Sequence, residues 1–412
     1  MARIQPFRAY RPPRDRAARV AAPPYDVLDT EEARAMAQGN PRSFLHISKP
    51  EIGLPADLDP HDPRVYAQGA ENLKRFIEEG TLAREAAPAF YIYRQRMGQH
   101  TQTGIVAGAS VDEYEAGLIK KHEFTRPDKE DDRTRHIDLL DANDEPVFLT
   151  YPAQSALRVR IAALQSAEPE YDFTTDDGIA HTLWVVKDPA AMAALTEAFA
   201  AVPALYVADG HHRSAAATRV RAARRQANPR HDGSEPYNAF LAVIFPHDEM
   251  KIMAYNRVVK DLHGRSPAEF LAALSGAFAI SPTTHPEPEA LHGFGMLLGE
   301  RWYRLTAKPG SFPADDPVRS LDAAILQHNC LEPLLGIADP RRDKRIDFVG
   351  GIRGTAELER RCREGWAVAF ALHPTSIDQL MAVADAGHVM PPKSTWFEPK
   401  LRSGLFVRPL GD

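Results

Sequence analysis

A short polar run, Asp209 to Arg213 (Asp-Gly-His-His-Arg), brings together the side chains of this sequence with the greatest chemical potential. It follows the apolar stretch 204–208, which predicts a buried strand, and it precedes an alanine- and arginine-rich run that favours helix. The first turn of a helix has backbone N–H groups without internal partners and carries partial positive charge, so it attracts phosphate. Gly210 permits close backbone approach, and Arg213 offers a planar fork for phosphate or carboxylate oxygens.

The same run allows two interpretations. In the functional one, Asp209 binds a metal ion or accepts a proton, and His211 or His212 donates to a phosphoryl oxygen. In the structural one, Asp209 caps the helix and the histidines are surface residues. We favour the functional interpretation, because four functional side chains converge on one helix start that suits an anion.

A second charged segment runs from Lys120 to His136. Its composition predicts a solvated loop, since charge runs usually lie in water. His122 and Glu123, however, follow the apolar residues 117–119, and a carboxylate at the end of a strand can enter a cleft and act as a general base. The segment lacks the second histidine of a zinc-protease helix, because that position is Arg126.

The C-terminal part of the chain holds further candidate ligands for an anion. Arg257 stands in the predicted strand 251–260, and its forked guanidinium suits a phosphate or carboxylate as well as a surface ion pair. The tail 390–406 is expected to fold back over a cleft and bind an anionic group, or to form a surface strap pinned by prolines. The polar candidates of the tail are Lys393, Ser394, Thr395 and Lys400.

Two resemblances follow from these motifs. The central run resembles the Asp-Gly-His-His-Arg motif of the free-serine kinases, which are small enzymes of the ParB/sulfiredoxin superfamily. In that superfamily this turn binds nucleotide phosphates. Nearly the whole chain resembles a ParB-like family, a domain of unknown function that carries the same motif. The stretches that carry this second resemblance are Ala22–Val27, Lys121–Thr125, Asn256–Lys260 and Met390–Lys400.

The resemblance to the kinases implies a nucleotide-dependent kinase that phosphorylates a small hydroxyl metabolite, with free L-serine as the leading substrate and ATP or ADP with Mg²⁺ as cofactors. It implies that Asp209 binds magnesium or acts as a base, and that Glu123, next to His122, orients or deprotonates the hydroxyl. The nucleotide phosphates would be bound by Gly210, His211, His212 and Arg213. The substrate would be bound by Arg257, Lys393, Ser394, Thr395 and Lys400.

Two other functions stay open. One is a nucleotide-binding regulatory protein that binds a partner such as DNA without turning over a small molecule, as in the chromosome-partitioning relatives. The other is a different reaction on a phosphorylated or carboxylated metabolite. The net charge of −6, with 50 basic and 56 acidic residues, weighs against a nucleic-acid partner. A basic face on the predicted central helix is better explained by solvation; its members are Arg219, Arg221, Arg224 and Arg225.

The chain of 412 residues exceeds the size at which one hydrophobic core stops growing. We expect a mixed α/β (α+β) fold with two lobes. Residues 1–263 would contain a ParB/sulfiredoxin-like core with large elaborations, and residues 264–412 a C-terminal α+β lobe. Residues 43–47 are predicted to form a short strand.

Composition and missing motifs narrow the class of protein. The sequence contains no Walker-type phosphate loop, no dinucleotide-binding glycine fingerprint and no hydrolase nucleophile elbow. No apolar run is long enough to span a bilayer. Two cysteines, Cys330 and Cys362, do not suggest a disulfide framework, so we expect a cytoplasmic protein, with oligomerisation left open.

Overall fold

The computed structural model describes residues 2–411, which group into two compact units. The first unit comprises the residues up to Met250 and those from Pro399 onward, and the second comprises Lys251–Glu398. This division differs from the expected boundary after residue 263, because the strands at 251–253 and 255–259 pair with strands of the second unit. Independent folding of two domains stays a prediction.

The strands are short to medium in length. In chain order they are β1 (Ile4–Gln5), β2 (Tyr10–Arg11), β3 (Ala83–Arg84), β4 (Phe90–Met97), β5 (His100–Ser110), β6 (Ile119–Lys120), β7 (Ala142–Asn143), β8 (Val147–Tyr151), β9 (Tyr171–Thr174), β10 (Ala180–Val186), β11 (Leu205–Asp209), β12 (Ala239–Pro246), β13 (Lys251–Met253), β14 (Tyr255–Val259), β15 (Phe278–Pro282), β16 (Gly293–Leu298), β17 (Arg301–Ala307), β18 (Ile346–Gly350), β19 (Val368–Leu372), β20 (Trp396–Glu398) and β21 (Arg408–Pro409).

The helices are distributed over both units. They are α1 (Ala17–Val20), α2 (Thr30–Ala37), α3 (Leu45–Ser48), α4 (Pro63–Glu78), α5 (Val111–Glu115), α6 (Pro127–Leu140), α7 (Ser155–Leu164), α8 (Pro189–Ala200), α9 (His211–Ala227), α10 (Pro267–Leu274), α11 (Asp322–Leu326), α12 (Gly354–Arg363) and α13 (Ile377–Asp385). The helix α11 continues as a π-helix over Gln327–Leu331.

A mixed nine-stranded sheet forms the centre of the first unit, in the order β6-β11-β8-β12-β5-β4-β10-β9, with β1 paired to β5. The pairs β6–β11 and β8–β12 are parallel, and the other pairs are antiparallel. Every residue of β12 is buried, as expected of an apolar strand covered on both faces. The parallel register places Ile119 beside Leu205, so the chain after β6 runs next to the end of β11.

Two local predictions for the first unit are wrong. Residues 45–48 form a helical turn instead of a strand, with His46 and the neighbouring backbone bonded in turns over residues 43–49. The charged segment is a loop only up to Arg126, because Pro127 then opens α6 at the first helical position, where its missing N–H costs nothing. Three polar residues of this helix are buried, namely Asp132, Arg133 and His136.

The second unit is built on an antiparallel six-stranded sheet in the order β15-β17-β16-β19-β14-β18. A separate two-stranded pair joins β13 to β20. The buried face contains Phe270, Phe294, Leu305 and Phe370. The predicted mixed α/β fold is therefore confirmed, whereas a ParB/sulfiredoxin-like core stays a prediction.

A helix that crosses a membrane has to be both long and apolar. Among the helices of residues 2–411, none combines the length and the apolar character that crossing a membrane requires.

Candidate functional site

The turn between β11 and α9 has the geometry that the sequence predicted. Leu205 to Ala208 are buried, and Asp209 ends the strand with its side chain 26% exposed. Gly210 has φ 97°, a left-handed conformation that favours glycine. A Cβ at this position would lie 2.9 Å from Nε of Arg213, so the guanidinium packs directly over the glycine.

The start of α9 retains its capacity to bind an anion. This helix has 17 residues, and its N-cap residue, Gly210, supplies no side-chain acceptor for the first amides. Those amides point away from the helix, and the helix dipole adds partial positive charge at the same end. Because Asp209 is not the cap, the structural interpretation of the motif as an Asp-capped helix is wrong.

Arg213 is buried among three carboxylates. Its side chain is 7% exposed, and its guanidinium nitrogens lie 4.0 Å from Asp26, 3.8 Å from Glu145 and 3.8 Å from Asp209. These separations balance charge but exceed hydrogen-bond length, and Nε has no hydrogen-bond partner. Burial lowers the pKa of Arg213 and the three carboxylates raise it, so that the net shift is upward. The guanidinium is therefore charged, and its Nε–H still has a hydrogen bond to make.

Lys400 lies at the other side of Asp209. Its Nζ donates to Oδ2 of Asp209 at 2.8 Å, and its backbone carbonyl accepts from the side-chain amide of Gln95. Burial raises the pKa of Asp209, but Lys400 and Arg213 outweigh burial and bring that pKa well below its ordinary value. The tail thus contributes an ammonium group to the central turn, while a role of Lys400 in binding substrate stays a prediction.

The imidazole rings of His122 and His211 are in contact next to the turn. His122, in the chain just after β6, packs edge-to-face on His211, with ring centroids 4.5 Å apart and planes at 88°. The two histidines are 2% and 4% exposed, respectively. Burial lowers the pKa of His122 to about 4 and also brings the pKa of His211 well below its ordinary value. Both rings are therefore neutral at physiological pH.

The other two residues of the predicted site lie near this pair. The partly buried carboxylate of Glu123 has an oxygen within 4.8 Å of ring nitrogens of both His122 and His211. His212 is partly buried and accepts a hydrogen bond at Nε2 from the backbone N–H of Arg126, at 3.1 Å. Burial lowers the pKa of His212. The structure therefore brings the predicted residues of the two motifs together.

Two further charged side chains, Arg133 and Glu145, line the same small cavity as Arg213. The guanidinium carbon of Arg133 lies 4.0 Å from the ring centroid of Tyr25. Glu145 accepts at Oε1 from the backbone N–H of Tyr25 and from the hydroxyl of Ser403, whereas its Oε2 has no hydrogen-bond partner. Burial and the charge of Asp144 raise the pKa of Glu145 to about 7. The cavity of about 10 Å³ that Arg133, Glu145 and Arg213 help to line could hold about one water molecule, so a phosphate would have to contact Arg213 outside this cavity.

The sequence did not single out these supporting residues. Asp26 belongs to the stretch Ala22–Val27 that carried the family resemblance, which was the available signal for it. Arg133 lay within the charged segment, where composition predicted solvation. Glu145 had no local signal, because its role depends on burial next to Arg213.

The remaining predicted ligands belong to the second unit. Arg257 is buried in β14, where its guanidinium donates to the backbone carbonyl oxygens of Tyr255 and Lys393. Burial lowers the pKa of Arg257 to about 10. Ser394 is buried and donates its hydroxyl to a backbone carbonyl three residues earlier, and Thr395 follows it, partly buried. These contacts show Arg257 anchoring the segment before β20, and substrate binding by these residues stays a prediction.

Comparison with known proteins shows the family. The chain belongs to the family described as "Protein of unknown function (DUF1015)", whose pattern matches residues 4–324. The ParB-like character expected of the family stays a prediction. No curated protein matches the chain.

Solved structures include several that are similar to this chain at low identity. A mutant free serine kinase in complex with AMP has 13% sequence identity and a TM-score of 0.35, over 71% of this chain and 87% of that chain. A conserved hypothetical protein from Pyrococcus furiosus has 13% identity and a TM-score of 0.35, over 74% and 95%. SbnI with a C-terminal truncation, from Staphylococcus aureus, has 13% identity and a TM-score of 0.37, over 74% and 87%. With TM-scores this low, function has to be argued from the site itself.

Proposed function

We propose that this protein is a phosphotransferase that uses ATP or ADP, with Mg²⁺, to phosphorylate a small hydroxyl metabolite, with free L-serine as the first candidate. The observation that carries the proposal is the uncapped start of α9 behind Gly210, with the buried guanidinium of Arg213 packed against it. Backbone amides, a helix dipole and a charged planar fork are the groups that proteins use to bind phosphate.

Access to this helix start supports the proposal. Asp209 and His212 are the partly exposed members of the turn, whereas Gly210, His211 and Arg213 are buried. A phosphate would approach the amides and Arg213 from the side of these two partly exposed residues. Such an arrangement neutralises charge on a transferring phosphoryl group, which is the main requirement of this reaction.

The carboxylates near the turn suit the remaining roles. Asp209 is ionised and about one quarter exposed, which fits a ligand of Mg²⁺, an ion that is usually held by one or two carboxylates together with waters and substrate phosphates. When bound, Mg²⁺ would neutralise phosphate charge. Glu123 would orient or deprotonate the substrate hydroxyl, as a general base must lie within hydrogen-bond reach of that proton.

The direct test is a phosphotransfer assay on the native protein. The protein would be incubated with L-serine, Mg²⁺ and either ATP or ADP, and O-phosphoserine would be followed by ³¹P NMR. Arg213→Lys keeps the charge but removes the fork, and the lost hydrogen bonds, worth about 1.5–3 kcal/mol, predict an affinity for nucleotide about 10- to 100-fold weaker. Arg219→Lys is the matched control, because this half-exposed arginine of the same helix pairs with Asp131.

The outcomes separate the parts of the proposal. Absence of phosphoserine with both nucleotides, for folded protein that binds nucleotide, would remove serine as the substrate. Equal nucleotide affinity of Arg213→Lys and Arg219→Lys would remove the helix start as the phosphate site.

One observation favours a second candidate, a nucleotide-binding regulatory protein without turnover. The carboxylate of Asp209 is already paired with Lys400, which leaves it less available to bind Mg²⁺ or to accept a proton. A DNA partner gains little support, since Arg219, Arg221 and Arg224 all form ion pairs with acidic side chains. Nucleotide binding without transfer to any small hydroxyl compound would favour this candidate, and salt-sensitive gel shifts would test DNA.

A further inference from the structure

The pair of buried histidines under the turn has unsatisfied ring nitrogens. Neither Nδ1 nor Nε2 of His122 makes a well-formed hydrogen bond, although the backbone of Val207 lies near this ring, and Nε2 of His211 has no partner. A buried polar atom without a partner costs about 1–3 kcal/mol, so native proteins usually satisfy such atoms. Two neighbouring unsatisfied imidazoles therefore indicate a ligand that accepts electron pairs from both rings.

We propose that His122, His211 and Glu123 bind one divalent transition-metal ion, with Zn²⁺ as the first candidate. Each of the three offers a ligand atom, and these atoms lie within 4.8 Å of one another. Tetrahedral zinc with bonds of about 2.0–2.1 Å needs its ligand atoms about 3.4 Å apart, so uptake requires side-chain movements of roughly 1 Å. Two imidazoles and one carboxylate form a recurring zinc and iron ligand set.

The ligand chemistry separates this site from the proposed magnesium ligand, Asp209. Magnesium prefers oxygen ligands, whereas imidazole nitrogen suits zinc, iron, copper and nickel. Three protein ligands leave a position for water or a substrate oxygen, as in catalytic zinc sites. The inference rests on the histidine geometry and does not require the proposed phosphotransfer. A carboxylate that binds zinc is not free to act as a base, so zinc binding by Glu123 would replace its role as the base of that reaction.

The test measures metal content and metal spectrum, neither of which depends on activity. Native protein would be stripped with a chelator, checked for folding by circular dichroism, and loaded with Zn²⁺ or Co²⁺. We expect about one equivalent of tightly bound zinc by mass spectrometry of the metal and visible ligand-field bands for the cobalt form. Zinc should also raise the melting temperature, since a ligand that binds only the native state stabilises it.

Two variants and one control test whether the histidines bind the ion. Substitutions outside a metal's direct ligands already cost 10- to 100-fold in affinity, so His122→Gln and His211→Gln are expected to weaken zinc binding by at least about 100-fold. Their metal-free forms should fold and melt nearly like metal-free native protein, because His122 and Nε2 of His211 lack well-formed hydrogen bonds. The control is His285→Gln, since this histidine is exposed in the second unit.

The possible results decide the proposal. Retention of one zinc by native protein and His285→Gln, with loss in both site variants, would support it. Equal binding by all four proteins would show adventitious metal and overturn it, and so would folded native protein that takes up no metal.

Discussion

Gly210 is the position of the candidate site at which one added carbon atom would press directly on Arg213. In Gly210→Ala, the added methyl group would lie 2.9 Å from Nε and 3.0 Å from Nη2 of Arg213, both closer than ordinary van der Waals contact. The guanidinium must then shift by about 0.5 Å or more to restore normal contact distances, in a core packed as densely as this one. Movement of Arg213 also displaces it from the carboxylates at 3.8 to 4.0 Å and from the amides of the helix start.

The expected loss of stability has two parts. A left-handed backbone costs an alanine about 1–2 kcal/mol. Displacing a buried arginine from its carboxylates adds a further cost, which stays below the roughly 3–5 kcal/mol of losing a buried charged partner completely. We therefore expect Gly210→Ala to lower the free energy of unfolding by about 2–4 kcal/mol in total. If the phosphate loses one charged hydrogen bond, worth about 1.5–3 kcal/mol, nucleotide affinity falls by about 10- to 100-fold.

Gly233→Ala is the matched control. Gly233 has φ 94°, close to the 97° of Gly210, but a Cβ there would have nothing within 4 Å. Urea unfolding should show a loss of only about 1–2 kcal/mol for this control, and calorimetry should show unchanged nucleotide affinity. Equal nucleotide affinities for the two variants would refute the assignment of the turn as the phosphate site.

Three further predictions concern the charged groups around the turn. Lys400→Met removes the partner of Asp209 and is expected to cost about 1.5–3 kcal/mol in urea unfolding above the ordinary carboxyl pKa. The folded pKa of Asp209 lies below its ordinary value, so the loss of stability should shrink as pH falls from the ordinary carboxyl pKa towards the lowered one. A loss that does not depend on pH would contradict this prediction. The pKa of Glu145 is raised to about 7, so its carboxyl group contributes stability that is lost as pH rises from its ordinary value through 7. Ionised Glu145 also competes with phosphate for Arg213. The nucleotide affinity of native protein, divided by that of Glu145→Gln, should therefore fall as pH rises through 7. A ratio that stays constant in calorimetry would contradict this prediction. Glu123→Gln should lower kcat by about 10²- to 10⁴-fold with nucleotide affinity unchanged, in steady-state assays, and an unchanged kcat would exclude Glu123 as the base.

Local signals were sufficient to predict the central element from the sequence. Apolar residues up to Ala208, a turn at Asp209-Gly210 and helix-favouring residues afterwards produce β11 and α9 at the expected positions. The mixed α/β class followed from alternating strand and helix patterns and is confirmed. The helical turn at residues 45–48 was missed because a short apolar run has no periodicity that separates strand from helix.

The surroundings of the turn depend on contacts between residues distant in the chain. His122 meets His211 because β6 pairs in parallel with β11, and strand pairing has no local signature. Lys400 reaches Asp209 because the tail returns to the first unit, which the sequence predicted only as a fold over some cleft. The alternative interpretation of Asp209 as the helix cap, which the sequence left open, is excluded because the left-handed Gly210 takes the N-cap position.

The position of nucleotide phosphates in a crystal structure of this protein with ADP and Mg²⁺ tests the central claim most directly. We predict that terminal phosphate oxygens lie within hydrogen-bond distance of the backbone N–H groups of His211 to Arg213 and of the Arg213 guanidinium. Phosphates bound elsewhere, with the turn after Asp209 unchanged and without ligand, would contradict the account.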